Sequence, residues 1–273
     1  MVEFKFSMDL MFKLVLQAVP RAAVELAKHY IPDMDDLVYD ESFVVENPIN
    51  AEGVELKTSI FDFKFSINNS AFEYEMQNHK TNYDLKDRII KYYGDLIVSS
   101  FPKDDRFSHK KCYALWFLNY KLFEDDNATR TFNLKDQYDN ELIDYASITI
   151  IEIAKFSEEE YNKDVWKKLF VTNDIESLRG DEIMNEVVDK ILDYNSDKAI
   201  AEKLRAEKNW QRHYNTSMDV AREEGIKEGI KEGIKEGEKN AKLETAKKMK
   251  SDGLATEMIS KYTGISISEI EKL

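Results

Sequence analysis

The chain has 273 residues but one cysteine, four prolines and four histidines, and each shortage excludes something. A lone thiol, Cys112, forbids an intramolecular disulfide, and its place in an apolar run assigns it to packing in a reducing compartment. His29, His79, His109 and His213 are scattered, so no Ser-His or Cys-His pair argues for covalent catalysis. No apolar run reaches the roughly 20 residues of a bilayer-spanning helix, and Glu3, Lys5 and Asp9 spoil a signal-peptide core. Cytoplasmic residence, away from membranes, is therefore expected. Positive charge is also short, at a net −14. Phosphate contacts come chiefly from Lys and Arg, so nucleic-acid binding is confined to local patches. Residues 222–250 hold nine Lys or Arg against seven Glu, which leaves −16 on the rest. Core-forming residues are plentiful: 42% hydrophobic and 12% aromatic content supports one sizeable core and a smaller appendage.

The most informative stretch runs from Thr58 to Gln77. Residues 59–67 and 71–77 alternate apolar and polar, and Asn68-Asn69 tolerates the positive φ of a tight turn, so a β-hairpin is predicted. With that turn Asp62 faces Glu75, Lys64 faces Glu73 and Ile60 faces Gln77 on one side. Phe61, Phe63, Phe65, Phe72, Tyr74 and Met76 point to the other. One face is expected to be core and the other charged. Directly opposed carboxylates repel, and a divalent cation would turn that repulsion into coordination, with the Gln77 amide beside it. The same spacing also suits a solvated face on which Lys64 pairs Glu73 and twist spreads Asp62 from Glu75.

Residues 9–29 have helical periodicity interrupted by Pro20, and Ser7 or Asp9 near the start is placed to cap the helix. A loop with a short strand near Phe43-Val-Val follows, then Val54-Glu-Leu ahead of the hairpin. A helix is predicted over 82–100 with Leu85, Ile89, Ile90, Tyr93, Leu96 and Ile97 buried. Lys80, Lys86, Arg88 and Lys91, then Lys103, Arg106, Lys110 and Lys111, are the candidate phosphate contacts. Arg88 and Tyr92, four apart, either serve the site or form a surface cation–aromatic pair. Residues 111–119 form a buried central strand, with further strands at 129–134 and 145–154, so the class is α/β with mixed pairing.

Asp62 and Glu75-Met-Gln77, Asp9-Leu-Met-Phe-Lys13 and Arg88-x3-Tyr92-Tyr93 together resemble the recombination-promoting nuclease and transposase family of the PD-(D/E)xK superfamily. The resemblance is best over residues 4 to 156. It implies a restriction-endonuclease-like mixed sheet flanked by helices and followed by a helical C-terminal region. It also implies a metal-dependent DNA endonuclease in which Asp62, Glu75, Asp9 and the Met76 carbonyl hold Mg²⁺. Gln77 stands where the wider superfamily has lysine; it, or Lys64 on the same face, would orient the attacking water. The other reading is a catalytically weak or inactive nuclease-fold protein that holds DNA or binds proteins.

The domains expected are a nuclease-like core at 1–156, a helical extension at 157–210 packing on it, a glycine-punctuated charged helix or linker at 211–250, and a small helix-turn-helix-like piece at 251–273. Glu-Gly-Ile-Lys repeats put glycine at 225, 229, 233 and 237 and isoleucine at 226, 230 and 234. Four helix-interior glycines cost about 4 kcal/mol relative to alanine, so a helix here needs a packing partner, and a homo-oligomer seam is one candidate. In the last piece Thr256 and Ser266 or Ser268 are the expected caps. The second of its helices offers Ser268, Glu269, Glu271 and Lys272, a poor set for reading a major groove.

Overall fold

A computed structural model describes residues 2–46, 62–80, 85–101 and 110–273; for Asp62, Gln211, Tyr214, Asn215, Met218 and Asp219 it describes the backbone alone. Phe61, the Ile60–Gln77 pairing, the Val54-Glu-Leu strand, Lys103, Arg106 and His109 lie outside the described residues. The chain divides into two compact units, Met1–Gln211 and Arg212–Leu273.

The first unit is built on a six-stranded mixed sheet: β1 (Val44–Val45), β2 (Asp62–Ile67), β3 (Ser70–Gln77), β4 (Lys111–Leu118), β5 (Thr129–Phe132) and β6 (Ala146–Glu152). Their spatial order is β1-β2-β3-β4-β6-β5. The central β3-β4-β6 run is parallel and the edges are antiparallel. Strand β4 is continuously apolar because both its faces are covered. Tyr113, Leu115 and Phe117 enter one core, and Cys112, Ala114, Trp116 and Leu118 the other.

Helices α1 (Asp9–Ala18) and α2 (Pro20–Tyr30) contribute to the first core. The single stretch expected over 9–29 is thus two helices, with Val19 between them and Pro20 at the first position of α2, where its missing N–H costs nothing. Tyr74 donates its hydroxyl to the Ala23 carbonyl at 2.8 Å and fixes α2 against β3. Helix α3 (Leu85–Ser100) belongs to the second core, burying Leu85, Ile89 and Leu96. Ile90, expected inside, is 63% exposed.

Four more helices follow: α4 (Glu158–Lys163), α5 (Val165–Val171), α6 (Glu182–Ser196) and α7 (Lys198–Ser251). Ser157 and Glu160 form a reciprocal capping box on α4, and Asp181 caps α6. Met184, Val187, Val188 and Ile191 of α6 join the first core. The unit's first residues are tied to its last helices: the Asn195 amide accepts from Phe4 N at 2.9 Å and donates to Phe4 O at 3.1 Å.

Within the second unit α7 continues unbroken through the glycine repeat, followed by α8 (Thr256–Thr263) and α9 (Ile267–Glu271). A Cβ placed on Gly225, Gly229, Gly233 or Gly237 would meet nothing within 4 Å. Ala246, Ile259, Ile265 and Ile270 make a small separate core. Gly264, at φ 71°, ends α8, and Ser266 with Glu269 boxes the start of α9. Thr256, expected as a cap, is the first helical residue; Ala255 holds the cap position and supplies no side-chain bond. No helix of the described residues is long and apolar enough to cross a membrane.

Candidate active site

The hairpin turn has Asn68 and Asn69 at φ 49° and 58°, the left-handed pair that matches strand twist. Its register is the one the residue pattern dictates, Asp62 opposite Glu75 and Lys64 opposite Glu73. β3 is the second strand of that hairpin and also pairs in parallel with β4, which sets Glu75 beside Trp116 and Gln77 beside Leu118. The charged face is therefore buried in β3, unlike the solvated face of the alternative reading. All eight residues of β3 are buried, and Glu73 and Glu75 are fully so. The reason is tertiary: this face looks into the core that α3 closes.

A carboxylate stripped of water needs a cation or several donors. Arg88 of α3 supplies the cation. One guanidinium nitrogen ion-pairs with Glu75 Oε1 and the other donates to Gln77 Oε1 at 3.1 Å. Gln77 Nε2 completes the set, donating to Glu75 Oε1 and to the Met76 carbonyl, each at 3.2 Å. The guanidinium also lies over two rings, 5.3 Å from the Tyr92 centroid and 5.5 Å from that of Trp116. Arg88 was expected either to reach a DNA phosphate or to orient the site carboxylates; in the structure it lies on Glu75 and Gln77. Lys64 pairs with Glu73 Oε2 at 3.7 Å. Lys80 and Lys91 are exposed, and Lys86 sits 5.7 Å from the Phe123 ring centroid.

Asp9 does not cap α1; Met8 holds the cap position with no side-chain bond. The free N–H groups are met from elsewhere. Glu207 of α7 accepts from Asp9 N at 3.1 Å and Leu10 N at 3.3 Å, and Asp9 itself pairs with the buried Lys13 at 3.3 Å. Burial, then the neighbouring Asp9 charge, pushes the Glu207 carboxyl up to about 7. Asn119, just past β4, joins the helix end to the sheet. Its side chain donates to Ser7 O at 3.3 Å and touches Met76 Sδ at 3.9 Å, while its backbone N–H donates to Gln77 O at 2.9 Å. Asp9 and Glu75 thus belong to two clusters, Asp9-Lys13-Glu207 and Glu75-Gln77-Arg88, at ends of α1 and β3 linked through Asn119.

Among the described residues no three Asp, Glu, His or Cys side chains form a metal-sized group. Asp62's side chain is outside that set. The donors on offer, two strand-opposed carboxylates and a backbone carbonyl, are hard oxygens of the type Mg²⁺ takes. Two other groups are explained structurally. Glu152, at the end of β6, accepts from Phe123 N at 3.1 Å and pairs with Lys155 at 2.8 Å. Burial holds the His79 imidazole below its ordinary value. A cleft of about 460 Å³, lined by Asp33, Asp36, Lys111, Glu141 and Asp144 among others, opens at the beginning of β4 and β6, the opposite edge from Gln77.

A mixed sheet carrying an acid on one hairpin strand and Glu-x-Gln on the next defines a nuclease-type fold. The PD-(D/E)XK nuclease family transposase family matches residues 36–225, well over half of the chain, and the protein belongs to it. No curated protein and no solved structure matches the chain. Neither Glu207 nor Asn119 was among the residues the sequence singled out, and no motif marks either.

Proposed function

We propose that the protein is a Mg²⁺-dependent endonuclease that hydrolyses phosphodiester bonds in cytoplasmic DNA. The observation that carries this reading is the hairpin register, which sets Asp62 opposite Glu75, with Gln77 bonded to the Glu75 carboxylate. Asp62, Glu75 and the Met76 carbonyl would hold the cation, with Asp9 contributing from the end of α1. When bound, Mg²⁺ would lower the pKa of a coordinated water and stabilise charge developing on the scissile phosphate. The chain's own part is orientation. Gln77 holds its amide against Glu75 and Met76 O, from where it would direct the attacking water. Lys64 on the same strand face partners Glu73 and keeps positive charge beside the acids. With −16 outside residues 222–250, DNA affinity should be modest and should fall as salt rises. Lys80, Lys86 and Lys91 are the exposed cations nearest the site in sequence. The row Ile226, Ile230 and Ile234, each more than half exposed, is where a second copy would join.

Two features favour the other reading, a nuclease fold that holds DNA or a protein without cutting. Glu75 is fully buried and paired with Arg88, and the superfamily's lysine position is Gln77.

The test is cleavage of supercoiled plasmid with Mg²⁺ at low salt. Nicked or linear product with the native protein, lost in Asp62→Ala and Glu75→Ala, supports the hydrolytic reading. Cleavage that survives in both variants removes this hairpin from the reaction. DNA retained in a gel shift with no cleavage by the native protein supports the non-cutting reading.

A further inference from the structure

We propose that Arg88 is the resident counter-ion of Glu75 and that its charge opposes a divalent cation at that carboxylate, so it sets the metal affinity of the site. This deepens, and rests on, the assignment of Glu75 as a metal ligand. Three observations carry it. First, Arg88 is ion-paired to Glu75 Oε1 and bonded to Gln77 Oε1 at 3.1 Å, so its planar fork spans the Glu-x-Gln pair from α3. Second, the Glu75 side chain has no exposure, whereas that of Arg88 has 27%. The carboxylate is fixed and the guanidinium is the partner with a way out. Third, the guanidinium lies over Tyr92 and Trp116, faces that keep a displaced cation close to the site.

The physical consequence is competition. A buried carboxylate gains from one close cation, but a second at the same oxygen meets the first at short range in a poorly screening interior. A divalent cation at Glu75 therefore binds against the charge of the guanidinium held on Oε1. In exchange, the site never holds an uncompensated buried charge when no metal is present. Arg88 is a positioning residue on this account, acting through Glu75 and Gln77.

The experiment measures Mn²⁺ binding to the full chain by electron paramagnetic resonance, alongside plasmid cleavage at saturating Mn²⁺. Arg88→Gln, which keeps a donor but loses the charge, is expected to bind Mn²⁺ at least about tenfold more tightly than the native protein. Cleavage by this variant should be slower, because Glu75 and Gln77 lose their fork. Arg88→Lys, which keeps the charge but loses the fork and the stacking, should bind Mn²⁺ more weakly than Arg88→Gln does. Arg88→Met, whose stem can still cover the Tyr92 ring, is the second uncharged variant should the first not fold. Unchanged or weaker Mn²⁺ binding in the uncharged variants, with binding still lost in Glu75→Gln, overturns the role of Arg88 alone. Binding that is identical in the native protein and Glu75→Gln overturns the Glu75 site and, with it, this inference.

Discussion

The hairpin β2–β3 and the repeat at 224–237 are both strictly periodic, one every two residues and the other every four, yet their side chains live differently. In β3 every residue is buried and Phe72 stacks on Phe65 at 4.7 Å and on Tyr113 at 5.3 Å. In the repeat the isoleucines are 53–59% exposed and the glycines face open space. A repeating pattern therefore specifies backbone form in both places, but interlocking only in one. The hairpin is held because three layers meet on it; the repeat stays helical through its own hydrogen bonds, at the glycine cost noted above.

Substitutions should separate the two regions by the size of their effect. Asp62→Ala or Glu75→Ala is expected to cut plasmid cleavage by about a hundredfold to ten-thousandfold, read from initial rates at fixed Mg²⁺. A change of less than about threefold would place the charged hairpin face with the repeat, as structure without chemistry. On the aromatic face, Phe72→Ala should lower unfolding free energy by about 3–5 kcal/mol in urea titrations, since it empties a stacked core position.

Glu207→Gln sits between the extremes and carries a pH signature. The native carboxyl is raised from 4.5 to about 7, so over that window the folded chain keeps a proton that the unfolded chain has lost. Stability from this group is therefore greatest below pH 4.5, falls as pH rises to about 7, and is level above. The variant lacks this dependence. Its melting temperature relative to native should climb across that window by up to about 10 °C, and the gap should stop growing beyond it. The smallest effect is reserved for the repeat: Gly229→Ala should raise helix stability by about 0.5–1 kcal/mol, seen as a higher far-ultraviolet melting midpoint. Destabilisation there would mean that the glycine is needed for close approach by another surface.

The contrast also explains what the residues alone could disclose. The hairpin register was legible because period-two alternation and Asn68-Asn69 leave one pairing that puts every aromatic on one side. The candidate acids were legible for the same reason, being fixed by local geometry. The burial of their face was not, because nothing in residues 62–77 says that α3 will dock over them. Arg88 was noticed as a basic residue four before Tyr92, but helical periodicity cannot say which strand residue a side chain reaches. Pro20 announced an interruption, and the helix divided there. Glu207 had no local signal at all: its partners are separated from it by 198 and 197 positions.

That last separation bears on how the chain comes to be assembled. Asp9 leaves the ribosome long before the residue that completes its helix terminus. At about 5–20 residues per second, the intervening 198 positions take roughly 10–40 s to synthesise. Throughout that interval α1 lacks the acceptor for its first N–H groups, and Phe4 lacks Asn195. The acid at the beginning of α1 therefore reaches its final surroundings late in translation, so a polypeptide released early would carry Asp62 and Glu75 without a finished Asp9 corner.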